Sequence, residues 1–218
     1  MPPDSPVRAS TSQQDPSSVL EILTALSGSE AEFIANCSRA GTGWTQFFQV
    51  RPSPIGGLGA FAVKDLRPGD VILTESPLLR TTYGSVLPDF YRLTRSDQDM
   101  YLTLSGYPSS EGKDEIMNIA RANAFVARDG IAIFKLASRF NHACEAVRNV
   151  KYVYNEHNDT LTMTVVADVP AGTELTVSYG QTPTELYNSF GFICRCGGCG
   201  EEGLTEEEVQ NRVSHSWY

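Results

Sequence analysis

The sequence predicts a mainly β fold with α: short β-sheets broken by a helical insert, with helices at both ends. Three observations carry that reading. Short apolar runs between Phe47 and Thr74 are punctuated by Gly and Pro turns. Strict alternation returns after Asn149, in Val150, Tyr152 and Tyr154, then Leu161, Met163 and Val165, then Leu175, Val177 and Tyr179. Between these β-like parts, and outside them, apolar spacing turns helical. A chain of 218 residues that is 41% hydrophobic can bury one sizeable core.

Taken in order, residues 1–16 are rich in Pro, Ser, Gln and Asp and form a disordered leader. Residues 17–44 form a helical N-terminal arm. Val19, Leu20, Leu23 and Leu26 keep helical spacing up to Gly28, and Ser29 with Glu32 makes a capping box before Phe33, Ile34 and Cys37. Strands are predicted over Phe47–Arg51, Ala60–Val63 and Val71–Thr74, with glycine-rich and Pro-Gly turns between them. A mixed segment at about 83–129 holds the helical candidates Pro88–Ser105 and Lys113–Phe125. The alternating strands follow, up to residue 180. An aromatic, Gly- and Cys-rich tail spans 181–200, and an acidic helix in 201–218 opens at Thr205 with Glu208.

Charge and hydropathy exclude several roles. Lys plus Arg number 17 against 26 Asp plus Glu, a formal charge of -9, so direct nucleic-acid binding is not expected. No apolar run approaches the roughly 18–20 residues that cross a bilayer, so no membrane partner is expected. The start, Met1 to Pro6, has neither the basic nor the apolar part of a secretory signal. The expected home is intracellular, nucleus or cytoplasm, where thiols stay reduced.

In that setting the 5 cysteines matter. Cys194, Cys196 and Cys199 stand too close for relaxed disulfides among themselves, and Gly197 and Gly198 let the backbone curl. Soft thiolates in a tight turn suit a structural, tetrahedral zinc that needs a fourth ligand. Cys144, in a polar loop-like segment beside His142, is the better candidate; Cys37 lies on an apolar helix face, where a free Cys is ordinarily core. Other features are ambiguous when read alone. Gly56, Gly57 and Gly59 lack the third glycine of a dinucleotide fingerprint, since Ala62 stands there; a turn between strands outweighs close approach to a ligand. Asn141 and His142 suit a metal ligand, an acid/base pair or a satisfied buried pair, and Tyr179 suits a site or core packing.

In order along the chain, these pieces resemble the SET-domain protein-lysine methyltransferases, of the split-SET type with post-SET zinc cysteines. Gly57 to Gly59 is similar to the family's G-x-G loop, and Arg139 to Cys144 to its Asn-His-Ser-Cys motif. Glu174 to Gly180 is similar to its second signature, and Cys194 to Cys199 to its post-SET cysteines. The resemblance covers roughly 45–200. It implies a SET domain over 45–180, with the insert at about 83–129, and a post-SET zinc tail over 181–200. It implies S-adenosyl-L-methionine as cofactor, held by Leu58, Gly59, Asn123, Asn141 and His142, with Phe192 packed on the adenine. Cys144, Cys194, Cys196 and Cys199 would hold the structural zinc. Tyr179 would be the catalytic tyrosine, and Tyr187 and Phe190 would line the channel for a lysine of a protein or peptide substrate. Three departures stand out: Ala143 replaces Ser, the segment after Cys144 is two residues longer and lacks Pro, and Phe190 stands where split-SET relatives often place Tyr. They keep a rival reading open, a catalytically weak or inactive SET-fold, zinc-containing protein-interaction module.

Overall fold

The computed structural model describes residues 43–107, 114–180 and 182–199. The leader, the predicted helices of the arm with Cys37, and the predicted helix of 201–218 lie outside the described residues. Of the arm, Gly43 and Trp44 open a 3-10 turn, Gly43–Gln46.

Three small sheets make the β part. The first contains β1 (Phe48–Pro52), β2 (Leu58–Ala62), β10 (Glu174–Val177) and β7 (Asn141–His142), in the order β1-β2-β10-β7. Every residue of β2 is buried, because β1 and β10 flank it on both edges. The second sheet orders β3 (Val71–Glu75), β9 (Thr160–Val165) and β8 (Val150–Asn155) as β3-β9-β8. In β9 the alternation is borne out: Leu161, Met163 and Val165 face the core and the threonines between them are half-buried. In β8 it is not, since Val150 is buried, Tyr154 half-buried and Tyr152 exposed. The third sheet, β4-β6-β5, is built from β4 (Leu79–Thr81), β5 (Phe125–Ala127) and β6 (Gly130–Ile133). Its strands have only three or four residues, too few for periodicity to register, and none was predicted.

The insert differs from the expectation in one instructive way. Instead of one helix over 88–105 there are two, α1 (Val86–Phe90) and α2 (Arg95–Leu102). Thr94 is extended and its hydroxyl accepts the Asp97 N–H at 3.2 Å, so α2 begins there as a capped helix. The third helix, α3 (Glu115–Asn123), is capped by Asp114 and ends two residues before the expected Phe125, which pairs with Ala132 in β5–β6 instead. The insert has its own core, in which Val86, Phe90, Ile119 and Ile133 pack around the buried Tyr101; the Tyr101 hydroxyl donates to Ile116 O at 2.7 Å. A last helix, α4 (Pro183–Phe190), occupies the stretch expected to be irregular tail. Its signal was present in the sequence, since Thr182 and Glu185 form a capping box around Pro at the first turn. Gly191, at φ 76, closes it in the left-handed conformation.

Candidate active site and metal centre

The short strand β7 is the hinge between two groups of side chains. On its C-terminal side the sulfurs of Cys144, Cys194, Cys196 and Cys199 all lie within 4.8 Å of one another. Cys144 Sγ is 3.4 Å from Cys199 Sγ and 3.8 Å from Cys194 Sγ, and Cys196 and Cys199 are 3.7 Å apart. A tetrahedron with zinc–sulfur bonds of about 2.3 Å has edges of about 3.8 Å. The four thiols therefore match the donor set and the size of a zinc site. Electrostatics agree. Burial and the Cys199 and Cys196 thiols push Cys144 up to about 12, and burial raises Cys194 as well. Cys196, although burial acts to raise it, is drawn down to about 7 by the N–H groups of Cys144 and Gly198. Four sulfurs this close hold several negative charges only around a cation. Gly198 has no side chain because a Cβ there would meet Val147 at 2.7 Å, so the longer segment after Cys144 fills the space beside the tail.

His142 links this cluster to the second group. Its ring is buried, and burial draws it down to about 4, so it is neutral near pH 7. Nδ1 accepts the backbone N–H of Tyr179 at 3.2 Å, which assigns the proton to Nε2, 3.6 Å from Cys144 Sγ. Around His142 stand Tyr179 at 5.0 Å and Phe192 at 6.0 Å between ring centroids, with Phe190 at 4.9 Å from Tyr179. The Tyr179 hydroxyl donates to Phe140 O at 3.2 Å. Burial, Tyr152 and Glu174 raise its pKa far above neutrality, so it is a phenol and a donor, never a base, at working pH.

Tyr179 lines a narrow cavity of about 60 Å³. Phe125, Tyr152 and Phe190 supply the other aromatic walls, and Ser138, Phe140 and Asn123 line it as well. One wall is set from a distance. Glu75, at the end of β3, accepts the N–H groups of Lys135, Leu136 and Ala137 at 2.9 to 3.2 Å, just before Ser138 and Phe140. The buried Arg139 ties the same wall to the insert by donating to Thr103 O at 3.0 Å and Thr103 Oγ1 at 2.6 Å.

The glycine loop completes the site. Ser53 N–H donates to Gly57 O at 2.9 Å, and Gly57 sits at φ 55, where a side chain would be strained. At Gly59 a Cβ would collide with the Glu174 carboxylate and stand 3.0 Å from Asn141 Nδ2. That Nδ2 donates to Glu174 Oε1 at 2.7 Å and Leu58 O at 3.3 Å, and Ser53 Oγ donates to Glu174 Oε2 at 2.9 Å. Asn149 then crosses the end of the longer loop: its side chain donates to Glu174 O and accepts from Thr176 N–H, both at 2.8 Å. Carbonyl and carboxamide oxygens near neutral His142 and aromatic Phe192 suit a ligand with a cationic amino-acid end and a flat heteroaromatic ring.

Most of the expected residues meet here. Leu58, Gly59, Asn141, His142, Tyr179, Phe190, Phe192 and the four cysteines form one continuous region. Asn123 borders the narrow cavity, but both donors of its carboxamide are engaged, by Ser105 O at 2.7 Å and Ile119 O at 2.9 Å. Tyr187 lies on α4 outside the walls of that cavity. Sequence reasoning missed Glu174, Asn149, Tyr152, Ser138 and Glu75. Of these, Tyr152 carried a signal as an aromatic in an alternating run, and Glu174 as the first residue of the second signature.

The family model for the SET domain matches residues 57–180, more than half of the chain. The histone-lysine N-methyltransferase set5 of Schizosaccharomyces pombe is 30% identical over 169 residues, which cover 72% of this chain and 52% of that protein. The chain thus spans about half the length of this relative. Among solved structures, Rubisco LSMT bound to AdoMet has the same fold at 16% identity, with a TM-score of 0.57 over 78% of this chain and 57% of the other. With the glycine loop, the Asn-His strand and Tyr179 all inside the matched stretch, the chain belongs to the SET-domain family.

Proposed function

We propose that the protein transfers a methyl group from S-adenosyl-L-methionine to the side-chain amine of a lysine in a protein or peptide substrate. The observation that carries this is the small aromatic cavity lined by Tyr179, in the same region as the Gly59–Asn141–Glu174 cluster. Phe125, Tyr152 and Phe190 line that cavity, and aromatic walls of this kind suit the alkyl chain of a lysine. The AdoMet-bound relative of the same fold and the methyltransferase name of the yeast relative both support it. A histone is therefore the first substrate to try.

When bound, the cofactor supplies a methyl group on a sulfonium, and transfer to an amine is an in-line displacement. The chain's part is alignment rather than acid/base work. Leu58 O and the Asn141 carboxamide oxygen would hold the cofactor's ammonium, and Phe192 would pack on its adenine. Neutral His142 would orient Tyr179 through the backbone N–H it accepts. Apolar walls disfavour a charged ammonium, so the lysine enters the reaction as the neutral amine. Phe140 O and the Tyr179 hydroxyl would position its lone pair. Zinc at the four cysteines would fix Phe192 in place and supply no chemistry. The division into a catalytic domain over 45–180 and a zinc tail over 181–200 belongs to the same proposal, as does an intracellular site of action. No helix among the described residues is long and apolar enough to cross a membrane.

Tyr179→Phe tests it. The variant should keep its melting temperature and bind the cofactor, and lose methyl transfer by roughly a hundredfold or more. Turnover within twofold of wild type on a lysine peptide would remove Tyr179 from the reaction.

A further inference from the structure

A second, much larger groove of about 700 Å³ lies beside the narrow cavity. The two are adjacent, since Ala124 and Phe190 line both. One face of α3 forms the floor: Asp114, Met117, Arg121 and Ala124 recur every three or four residues. Val126 of β5 and Tyr83, both exposed, supply apolar surface opposite.

The charge in this groove is unevenly placed. Arg121 lies one helical turn from Ala124, about 4.5 Å along the axis. Its guanidinium lies over the Tyr107 ring at 4.0 Å, and Nη2 donates to Asn188 O at 3.4 Å, so the cation is held rather than free to swing away. Among the described residues no carboxylate forms an ion pair with it. Asp114 sits two turns further out, about 10 Å away, which is about one Debye length at physiological salt. Its carboxylate already accepts the Ile116 N–H at 2.9 Å. The mouth of the narrow cavity is therefore locally positive in a chain whose formal charge is -9.

We infer that Arg121 selects an acidic side chain one or two residues from the target lysine in an extended peptide. An extended chain rises about 3.3 Å per residue, so one or two residues span the single helical turn between Ala124, which borders both cavities, and Arg121. This rests on the lysine-methyltransferase reading and adds a sequence preference to it.

The test uses the full, zinc-replete chain with S-adenosyl-L-methionine. Lysine peptides carry Asp, Ala or Arg at one and at two positions on either side of the lysine. Methyl transfer is followed by mass spectrometry, and binding of the same peptides by fluorescence anisotropy. On one side, kcat/KM for the Asp peptide should exceed that for the Arg peptide by about tenfold. Arg121→Lys should keep most of that ratio, Arg121→Gln should reduce it to about twofold, and Arg121→Glu should invert it, with melting temperatures unchanged. Methyl transfer with no charge preference, or the same preference in Arg121→Glu, would overturn the inference and leave the transferase reading intact. Binding that follows charge with no methyl transfer would uphold the groove and overturn the transferase reading. Failure of every peptide to bind would overturn the inference.

Discussion

The metal corner and the channel wall meet at β7, yet they are held by different physics. In the tail over 191–199, Cys194 is the buried residue, and the rest is half-buried or exposed. Apart from Phe192, which contacts His142, Tyr179 and Phe190, that segment buries little, so the sulfurs and the metal they suit are its main fastening. The wall over 135–140 is the reverse. Ala137 and Phe140 are buried, Glu75 accepts three successive N–H groups, and Arg139 is tied to the insert. A metal site can position a poorly packed tail, whereas a channel of fixed bore needs a packed and fully bonded backbone.

The largest effect should come from taking the metal away. A strong chelator should remove one zinc per chain, expose the tail to protease, and weaken S-adenosyl-L-methionine binding by about tenfold or more through loss of Phe192. The core should keep its cooperative melt, because Phe48, Leu161, Met163 and Leu175 pack without help from the tail. Native mass spectrometry, limited proteolysis and calorimetry check the three parts. If the core melted together with the tail, the two regions would be one cooperative unit and the contrast drawn here would fail.

A smaller effect sharpens the contrast from the other side. Gly59→Ala forces a methyl group into the Glu174 carboxylate, inside a strand that is buried throughout. It should cost about 1–3 kcal/mol in denaturant unfolding and displace Asn141. Gly84→Ala is the control: the nearest atom to its added Cβ is 3.9 Å away, and the change should stay within about 0.5 kcal/mol. Equal costs at the two glycines would mean that the glycine loop gives way, and that Gly59 does not fix Asn141.

These two regions also differ in how far the sequence reveals them. The four cysteines could be named from residue type and spacing, because three thiols this closely spaced suit few roles other than holding a metal. Tyr179 and His142 were identifiable through short motifs. Glu75 was not, since its partners lie 60 residues away in sequence and are backbone groups that any residue would provide. The roles of Glu174 and Asn149 were hidden for the same reason, since their partners Asn141, Ser53 and Thr176 lie 25 or more residues away. The three strands of the β4-β6-β5 sheet were too short to show a period. Helix α4 is a different kind of miss, because its capping box is legible in Thr182, Pro183 and Glu185 although the rest of the segment is rich in aromatic residues and glycine.

The smallest effect concerns Glu75 and has a definite sign. Two influences compete on its carboxyl: burial favours the protonated form, and the N–H groups of Ala137, Leu136 and Lys135 favour the anion. Burial prevails, and the folded pKa lies above the ordinary 4.5. The folded protein then binds this proton more tightly than the unfolded chain, so the contribution of Glu75 to stability is greatest below about pH 4.5. It falls as pH rises toward the folded pKa, by at most about 1.4 kcal/mol per pH unit, and is level above it. Glu75→Gln keeps the shape and one acceptor but has no proton to lose. Denaturant unfolding of both proteins across this range isolates the residue, because titration of the cysteines and of His142 is common to the two and cancels in the difference. The wild-type advantage should shrink with rising pH. An advantage that grows instead would mean that three backbone donors outweigh burial, and that the channel wall is fastened by an anion rather than by a shared proton.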